Sequence, residues 1–232
     1  MLTYEKALEK LLASIPSPEK VCQPLLASRG QVLAATVKAD LDLPPFDKSF
    51  VDGYALKSTD VEQVPVELQI TGQVAAGSKK LSSVTPGHAV QVMTGAPLPR
   101  GADAVQMVEK TRLVKPGVVQ ILESLEEGKN VSLRASEIAF GSTALHPGTV
   151  LGPAEIGVLA TFGRQEVPVY ASPSAALFST GNEVVDVSQT PEFGQIRNSN
   201  AHMLSAQCSN LGIDVTVFPV ARDDPEQVRQ AI

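Results

Sequence analysis

Residues 41–139 consist of short apolar segments separated by glycine, proline and serine. This sequence pattern restricts the fold of the 232-residue chain more than any other feature. Segment 66–70 alternates strictly between apolar and polar residues, and segment 90–92 does the same. Another short apolar piece lies at 118–122. Several short strands with turn signals between them predict a β-rich domain over this region.

The segments on either side of the β-rich region carry helical signals. Apolar residues recur at helical spacing over 4–15, and Thr3 is in position to cap the N-terminus, which predicts an amphipathic helix. Residues 29–37 predict a second, short helix. A third helix is predicted over 153–162, because its first residue is a proline and proline is favoured in the first helical turn.

The last part of the sequence predicts strands that alternate with helices. The apolar run 174–179 has strand length and is typical of a strand buried on both faces. Asn200 can cap a helix that ends at Gly212, residues 214–220 predict a second strand, and a further helix begins after Asp224. This β-α-β-α order predicts the start of a parallel, doubly wound sheet, and we expect the remainder of that sheet to lie outside the sequence.

Composition excludes several classes of function. A formal net charge of −6 argues against a nucleic acid or an anionic membrane as the main partner. Aromatic residues make up 4% of the chain and tryptophan is absent, so stacking platforms for bases are not expected. Cys22 and Cys208 are too far apart in sequence for a metal motif and predict reduced core residues of a cytoplasmic protein.

Three loops combine turn residues with polar side chains. The first holds Asp52 in "DKSFVDGYAL", the second ends a strand at Thr94, and the third is "LFSTGNEVVD", which contains Glu183. Asp-Gly is a common turn dipeptide, so Asp52 is either a turn residue or an acid of a site. Each loop taken alone is explained by ordinary turn structure.

The third loop follows a predicted parallel strand, and ligands of open α/β sheets bind outside such strand ends. Backbone N–H groups near the loop glycine and at the start of the next helix are suited to a phosphate or pyrophosphate. The candidate binding residues are Ser179, Thr180, Gly181, Asn182, Asn198, Ser199 and Asn200.

Other catalytic motifs are missing from the sequence. It contains no Walker loop, no G-x-G-x-x-G, no G-x-S-x-G and no H-E-x-x-H. His88, His146 and His202 are scattered along the chain. A Ser-His-Asp hydrolase and a zinc enzyme are therefore not expected.

The order and spacing of several motifs resemble one family. The motifs are "LPPFDKSFVDGYAL", "QVMTGAPLPRGADAV", "GPAEIGVLATFG", "STGNE" and "GQIRNSNAHMLS". On these motifs the chain is similar to the molybdopterin molybdotransferases of MoeA type, whose eukaryotic relatives include the C-terminal domain of gephyrin. The similarity extends from about Tyr4 to Ile232.

This resemblance implies a multidomain α+β fold. Residues 1–40 and 140–172 would form a discontinuous, mixed helical and extended domain for dimerisation, and 41–139 would be the inserted β-rich domain. Residues 173–232 would be the first half of a doubly wound α/β molybdopterin-binding domain. The resemblance also implies an elongated cytoplasmic homodimer, with the cleft between the α/β domain of one subunit and the inserted domain of the other.

The activity implied is a step of molybdenum cofactor biosynthesis. Molybdate would be inserted into adenylylated molybdopterin with release of AMP, and Mg²⁺ would act as cofactor. Other proteins of cofactor biosynthesis would be further partners, whereas nucleic acid and membrane would not. The resemblance assigns catalytic roles to Asp52, Thr94 and Glu183, and Glu183 would also be a metal ligand. Carboxylates suit that role because Mg²⁺ prefers oxygen ligands.

Two departures from the family pattern affect these expectations. The family often has Arg-x-x-Gly-Glu-Asp where this sequence reads Arg134-Ala135-Ser136-Glu137. The family's G-G-V-S loop and its basic segments would lie beyond Ile232, so we expect this chain by itself to be inactive. The alternative is a non-catalytic dimeric binding or scaffold module of the same fold.

Overall fold

The computed structural model of the chain describes residues 2–78 and 82–231. The α-helices are α1 (Tyr4–Ser14), α2 (Pro153–Thr161), α3 (Ser199–Asn210) and α4 (Pro225–Ala231). The strands are β1 (Lys20–Pro24), β2 (Val37–Lys38), β3 (Lys48–Ser49), β4 (Gly53–Leu56), β5 (Val66–Val74), β6 (His88–Val92), β7 (Ala104–Met107), β8 (Thr111–Lys115), β9 (Val118–Ile121), β10 (Val131–Ser132), β11 (Thr143–Leu145), β12 (Glu166–Tyr170), β13 (Ser174–Leu177), β14 (Val184–Val185), β15 (Ile196–Arg197) and β16 (Asp214–Val217).

The chain divides into two compact units, one formed by residues 37–144 and the other by 1–36 together with 145–232. Unit 37–144 contains a six-stranded sheet in the order β7-β4-β6-β5-β9-β8. Strands β5 and β6 are parallel, and the other neighbours in this sheet are antiparallel. The six-stranded sheet confirms the prediction, made from the alternating segments, that this region is rich in β-strands.

Both faces of the six-stranded sheet are covered by apolar packing. One face carries Tyr54, Leu56, Val61, Leu68, Ala89, Ala104, Val119 and Ile121. The opposite face carries Ala55, Val74, Val84, Val90, Val92, Ala96 and Val105. Because all four residues of β4 are buried, this strand lies at the centre of the packing and fixes the loop that precedes it.

The second unit contains an antiparallel pair formed by β1 and β12. Helix α1 begins behind its predicted cap, since the Thr3 side chain accepts from the Lys6 N–H at 3.4 Å. The short helix predicted over 29–37 is wrong. Gly30 has a φ of +83°, and the following residues make antiparallel bridges to Val150 and Val169, so this stretch is turn and extended backbone.

Strands β13 and β16 pair in parallel, and α3 packs against both of them, so the predicted β-α-β order is confirmed. The predicted cap residue is wrong. Asn198, not Asn200, is the N-cap of α3, because its side chain accepts from the Ala201 N–H. The expectation that the first strand is buried on both faces is also wrong, since Ser174 and Ala176 are exposed.

Both cysteines are free thiols, but neither is a core residue. Cys22 is exposed and Cys208 is half-buried, which corrects the prediction from composition. Within the described part of the chain, no helix is both long enough and apolar enough to cross a membrane.

Candidate functional site

In unit 37–144, the structure brings together Asp52 and Thr94, which are 42 residues apart in sequence. Asp52 Oδ1 accepts from the Thr94 backbone N–H at 2.7 Å and from the Thr94 hydroxyl at 2.8 Å. Both residues are exposed. The other oxygen of the carboxylate, Oδ2, has no hydrogen-bond partner in the described part of the chain. The pair therefore presents one free carboxylate oxygen in a defined orientation.

Backbone hydrogen bonds hold the Thr94 loop beside the Asp52 loop. The Gly95 N–H donates to the Ser49 carbonyl at 2.8 Å, and the Ser49 N–H donates to the Ala96 carbonyl at 2.9 Å. Gly95 has a φ of +77°, a conformation that glycine adopts without steric cost. The Thr-Gly pair seen in the sequence thus turns the chain so that residue 94 faces the carboxylate.

The Asp-Gly dipeptide at residues 52 and 53 does not form the turn that its composition suggests. Gly53 lacks a positive φ, and the Asp52 side chain bonds to Thr94 and not to its own backbone. A Cβ at Gly53 would lie 2.0 Å from the Gln106 carbonyl oxygen of β7. Glycine is present because β7 approaches closely, which leaves Asp52 available for other roles.

Hydrogen bonding lowers the pKa of Asp52 below its ordinary value of 3.8. The larger cause is the backbone N–H of Thr94, and the Thr94 hydroxyl adds to it. Both donors stabilise the ionised carboxylate. Asp52 is therefore a carboxylate and not a carboxylic acid at neutral pH.

Replacing Thr94 with Val should raise the pKa of Asp52 relative to the wild type, because the hydroxyl donor is lost. The pKa should stay below 3.8, since the backbone N–H of residue 94 remains the larger cause. Carboxyl ¹³C shifts measured during a pH titration report this directly. Thr149→Val is a matched control, because the Thr149 hydroxyl donates to the His146 carbonyl. An unchanged Asp52 titration in Thr94→Val would contradict the assignment.

The same pKa shift determines the sign of the pH dependence of stability. Because the pKa of Asp52 is lower in the folded chain, the ionised carboxylate contributes stability that is fully present above the unfolded pKa. That contribution is lost as the pH falls from about 3.8 through the folded pKa. In Thr94→Val, the stability that is lost over this acidic range should therefore be smaller than in the wild type.

In the second unit, a cavity of about 330 Å³ lies just past the end of β13, at the start of β14, and beside β15 where α3 begins. Its lining residues are Ser179, Thr180, Glu183, Val184, Ile196, Arg197, Asn198, Ser199 and Asn200. The structure brings six of the predicted residues into this cavity, together with three others. Strands β14 and β15 pair in parallel and hold its two sides together, with the Ile196 N–H donating to the Glu183 carbonyl at 2.8 Å.

Asn198 is the most buried polar residue of the cavity, with 8% of its surface exposed. Its Oδ1 accepts from the Ser179 hydroxyl at 2.9 Å and from the Ala201 N–H at 3.3 Å. Its Nδ2 group has no partner in the described part of the chain and is left as a donor toward the cavity. Nearby, the first N–H groups of α3 add positive partial charge. This end of the cavity is suited to an anion.

The glycine of the third loop has a different role from the one predicted. The Gly181 N–H donates to the Ala221 carbonyl at 3.1 Å, so it is not free to bind a phosphate. Gly181 is buried beside the cavity and Asn182 is exposed, and neither belongs to the cavity lining. Ligand binding by backbone N–H groups near Gly181 therefore stays a prediction, and it rests on groups other than the N–H of Gly181 itself.

Glu183 is the acid of this cavity. Its carboxylate is exposed and has no cation within 4.0 Å in the part of the chain that the structure describes. No group of three or more His, Cys, Asp or Glu side chains suited to a metal occurs among the described residues. A Mg²⁺ ion is commonly held by one or two carboxylates together with substrate phosphates and water. A single unpaired carboxylate beside an anion-binding end fits that mode.

Arg197 is a cavity residue that the sequence analysis missed. It lies on β15 next to Asn198, and its Nε donates to the Gln189 carbonyl at 2.9 Å. A signal was present, because a cation stood directly before the Asn-Ser-Asn helix start. The prediction of a phosphate-binding site at this helix start included Asn198, Ser199 and Asn200 but not the arginine that precedes them.

Comparisons with known proteins agree with this architecture. A family model described as the MoeA N-terminal region, domains I and II, matches residues 2–163. A second model, described as a probable molybdopterin binding domain, matches residues 176–232 and so contains the whole cavity.

Curated relatives and solved structures match along the whole chain. Molybdopterin molybdenumtransferase of Staphylococcus aureus strain MSSA476 is 35% identical over 235 residues, which is 100% of this chain and 56% of the relative. The enzyme of the same name from Staphylococcus epidermidis strain ATCC 12228 is 33% identical over 230 residues, covering 97% of this chain and 55% of the relative. A crystal structure of the molybdopterin biosynthesis MoeA protein from Pyrococcus horikoshii OT3 has a TM-score of 0.88 at 30% identity and covers 100% of this chain and 64% of that chain.

The chain thus combines a β-rich unit with a parallel α/β segment that holds the cavity. This combination places it in a class of multidomain α+β proteins in which the α/β segment matches a probable molybdopterin binding domain. Within that class, the chain belongs to the MoeA family. It spans about half the length of the curated relatives that it matches. The family and the fold class expected from the sequence are both confirmed.

Proposed function

We propose that the protein acts in molybdenum cofactor biosynthesis as a molybdopterin molybdotransferase, which inserts molybdate into adenylylated molybdopterin and releases AMP. One observation carries the proposal: the cavity at residues 179–200 lies at the carboxyl ends of β13 and β15, which each pair in parallel with a neighbouring strand, within the segment that matches a molybdopterin-binding family model. Ligands of α/β sheets bind at this edge. The relatives' names support the reaction.

In this proposal the cavity binds the phosphate groups of adenylylated molybdopterin. The Nδ2 group of Asn198 and the N–H groups of Ser199 and Asn200 donate hydrogen bonds to phosphate oxygens. Ser179 holds Asn198 in position through its hydroxyl, which donates to Oδ1. The apolar side chain of Val184 shields one wall of the cavity from water.

Glu183 and Asp52 supply the carboxylates that the reaction needs. Glu183 would hold Mg²⁺, which when bound polarises the phosphate to be cleaved. Asp52, kept ionised by Thr94, orients water through its free Oδ2. Molybdate and adenylylated molybdopterin are the substrates.

We further propose a cytoplasmic homodimer with domains at 1–40 with 140–172, at 41–139, and at 173–232. The compact unit 37–144 supports the inserted domain. The exposed apolar face of α1 supports dimerisation, because contiguous exposed apolar surface is typical of an interface. That face comprises Tyr4, Leu8, Leu11 and Leu12, and the exposed Ile15 follows directly after the helix. Sedimentation equilibrium showing a monomer would contradict the proposed homodimer.

The same face favours the alternative function, a dimeric binding or scaffold module, and other proteins of cofactor biosynthesis are its candidate partners.

The binding step is tested by titrating the chain with adenylylated molybdopterin and Mg²⁺ in a calorimeter. Asn198→Asp should weaken binding by on the order of 100-fold, because donors are lost and a negative charge faces the phosphates. The fold should be kept, since aspartate is also a strong N-cap. Asn210→Asp makes the same chemical change at the exposed far end of α3 and should bind like the wild type.

Three outcomes separate the candidate functions. Binding followed by AMP release that requires both molybdate and Mg²⁺ supports the transferase. Binding without AMP release is also expected of this chain by itself if it is part of a transferase, so the binding or scaffold module is supported only if the chain extended by the family's G-G-V-S loop and basic segments also forms a stable dimer and releases no AMP. An absence of binding by the folded wild-type chain would refute the assignment of the cavity.

A further inference from the structure

Arg197 gives the cavity a cation whose charge is not neutralised by the protein. Among residues 2–78 and 82–231, no carboxylate lies within 4.0 Å of its guanidinium group. Glu183 lines the same cavity but is not its ion-pair partner. An arginine and a glutamate that share a cavity without pairing are each available to a ligand.

Two contacts with the backbone hold Arg197 in place. Residue 197 pairs with Val185 in the β14–β15 ladder, and its Nε donates to the Gln189 carbonyl at 2.9 Å. This bond occupies one of the five guanidinium donors and leaves the terminal NH₂ groups free. Because one edge of the guanidinium is fixed, less side-chain entropy is lost when the other edge binds a ligand.

The neighbouring groups determine which ligand this guanidinium fits. The Asn198 amide and the start of α3 supply neutral donors next to it. Planar guanidinium donors match the spacing of two phosphate oxygens, whereas an ammonium acts as a point charge. A ligand with two adjacent phosphates can therefore place one phosphate at the helix start and the other at the arginine.

We propose that Arg197 is a specificity residue that selects the pyrophosphate form of the ligand over a monophosphate. The inference rests on the proposed function, because it assigns the linkage that this residue recognises in adenylylated molybdopterin. The α3 end alone would accept either form. Arg197 adds a charge-assisted contact that only the second phosphate can make.

The test measures three probes on the folded chain in the presence of Mg²⁺: adenylylated molybdopterin, molybdopterin with its single phosphate, and inorganic pyrophosphate. Arg197→Gln should weaken the first and the third by on the order of 10- to 100-fold, and molybdopterin by less than about threefold. Arg197→Lys should restore part of the loss, since it keeps the charge without the planar fork. Arg229→Gln is the matched control, because Arg229 is exposed on α4 and pairs with Glu226.

Salt dependence separates a ligand contact from a structural role. If Arg197 contacts a phosphate, the affinity of Arg197→Gln should fall less steeply with rising salt than that of the wild type, because one ionic contact is missing. A purely structural role would lower the affinity for all three probes without changing that slope. An equal loss for molybdopterin and adenylylated molybdopterin would overturn the proposal.

The two proposals fail in different ways. If the wild type binds adenylylated molybdopterin and Arg197→Gln binds it equally well, the role of Arg197 is refuted while the proposed function stands. If the wild type binds inorganic pyrophosphate but not adenylylated molybdopterin, the proposed function is refuted, and the effect of Arg197→Gln on pyrophosphate decides the phosphate contact. If the wild type binds neither, both proposals are refuted.

Discussion

Replacing Gly53 with Ala should destabilise unit 37–144 by roughly 3–5 kcal/mol, because a Cβ at this position meets backbone and not flexible side chains. It would lie 2.0 Å from the Gln106 carbonyl oxygen and 3.0 Å from Met107 Cα, both on β7. Strand β4 lies between β6 and β7, so relieving the overlap means moving β7 out of register with its neighbour. Such a loss is a large part of the stability of an ordinary domain.

Hydrogen exchange measured on peptides that cover β4 and β7 should detect this change, with protection falling in Gly53→Ala. Gly72→Ala is a matched control in the same sheet. A Cβ at Gly72 has only Ser82 Oγ nearby, at 3.9 Å, and the position lacks a positive φ. Its stability should stay within about 1 kcal/mol of the wild type. Wild-type protection in Gly53→Ala would show that β7 can move at little cost.

Local patterns predicted those elements whose stability depends on local features. Strand β5 alternates between core and surface over its first residues, and α1 has both a capping threonine and an apolar stripe. In both cases the period of the side chains matches the period of the backbone. Such segments can be assigned without knowing what packs against them.

Elements that depend on distant partners were predicted less well. Residues 29–37 have helical composition, but they bridge to Val150 and Val169, more than 100 positions away in sequence. Pairing with distant strands overrode the weak local preference. At α3 both Asn198 and Asn200 can cap a helix, and the choice depends on Ser179, whose hydroxyl holds Asn198.

The candidate site also depends on contacts that the sequence does not show. Family resemblance selected Asp52 and Thr94, but their contact spans 42 residues, and only the fold shows that both donors meet one carboxylate oxygen. Glycines were misinterpreted as turn or ligand-binding residues because sequence does not show what approaches them. At Gly53 the neighbour is a strand, and at Gly181 it is the side chain of Glu183.

Ala135 illustrates a departure from the family pattern that the fold tolerates. It has a φ of +61°, in the left-handed region that favours glycine. Its N–H donates to the Pro44 carbonyl at 3.0 Å, and the preceding Arg134 N–H donates to Asp47 Oδ1 at 2.7 Å. These bonds offset the cost of a left-handed alanine, which is about 1–2 kcal/mol.

Gly181 should be the glycine whose substitution most affects ligand binding. Its φ of +144° is strained for any residue with a side chain. A Cβ there would lie 2.8 Å from Glu183 Oε2 and 2.9 Å from Val184 Cγ2. The Val184 methyl group is held on a short, stiff side chain, whereas the Glu183 carboxylate can rotate away. In Gly181→Ala, we therefore expect the carboxylate to leave its position beside the cavity.

Two readouts distinguish this displacement from simple strain. Gly181→Ala should lose about 1–3 kcal/mol of stability from the backbone. It should also weaken the Mg²⁺-dependent part of adenylylated molybdopterin binding by roughly 10- to 100-fold, as when a metal ligand loses its support. Gly194→Ala is the control, because Gly194 also has a positive φ, +86°, but no atom lies within 4 Å of the added Cβ. It should share the strain without the binding defect. If Gly181→Ala loses stability yet keeps the full effect of Mg²⁺ on binding, Glu183 does not hold the ion, and the metal role proposed for that carboxylate is wrong.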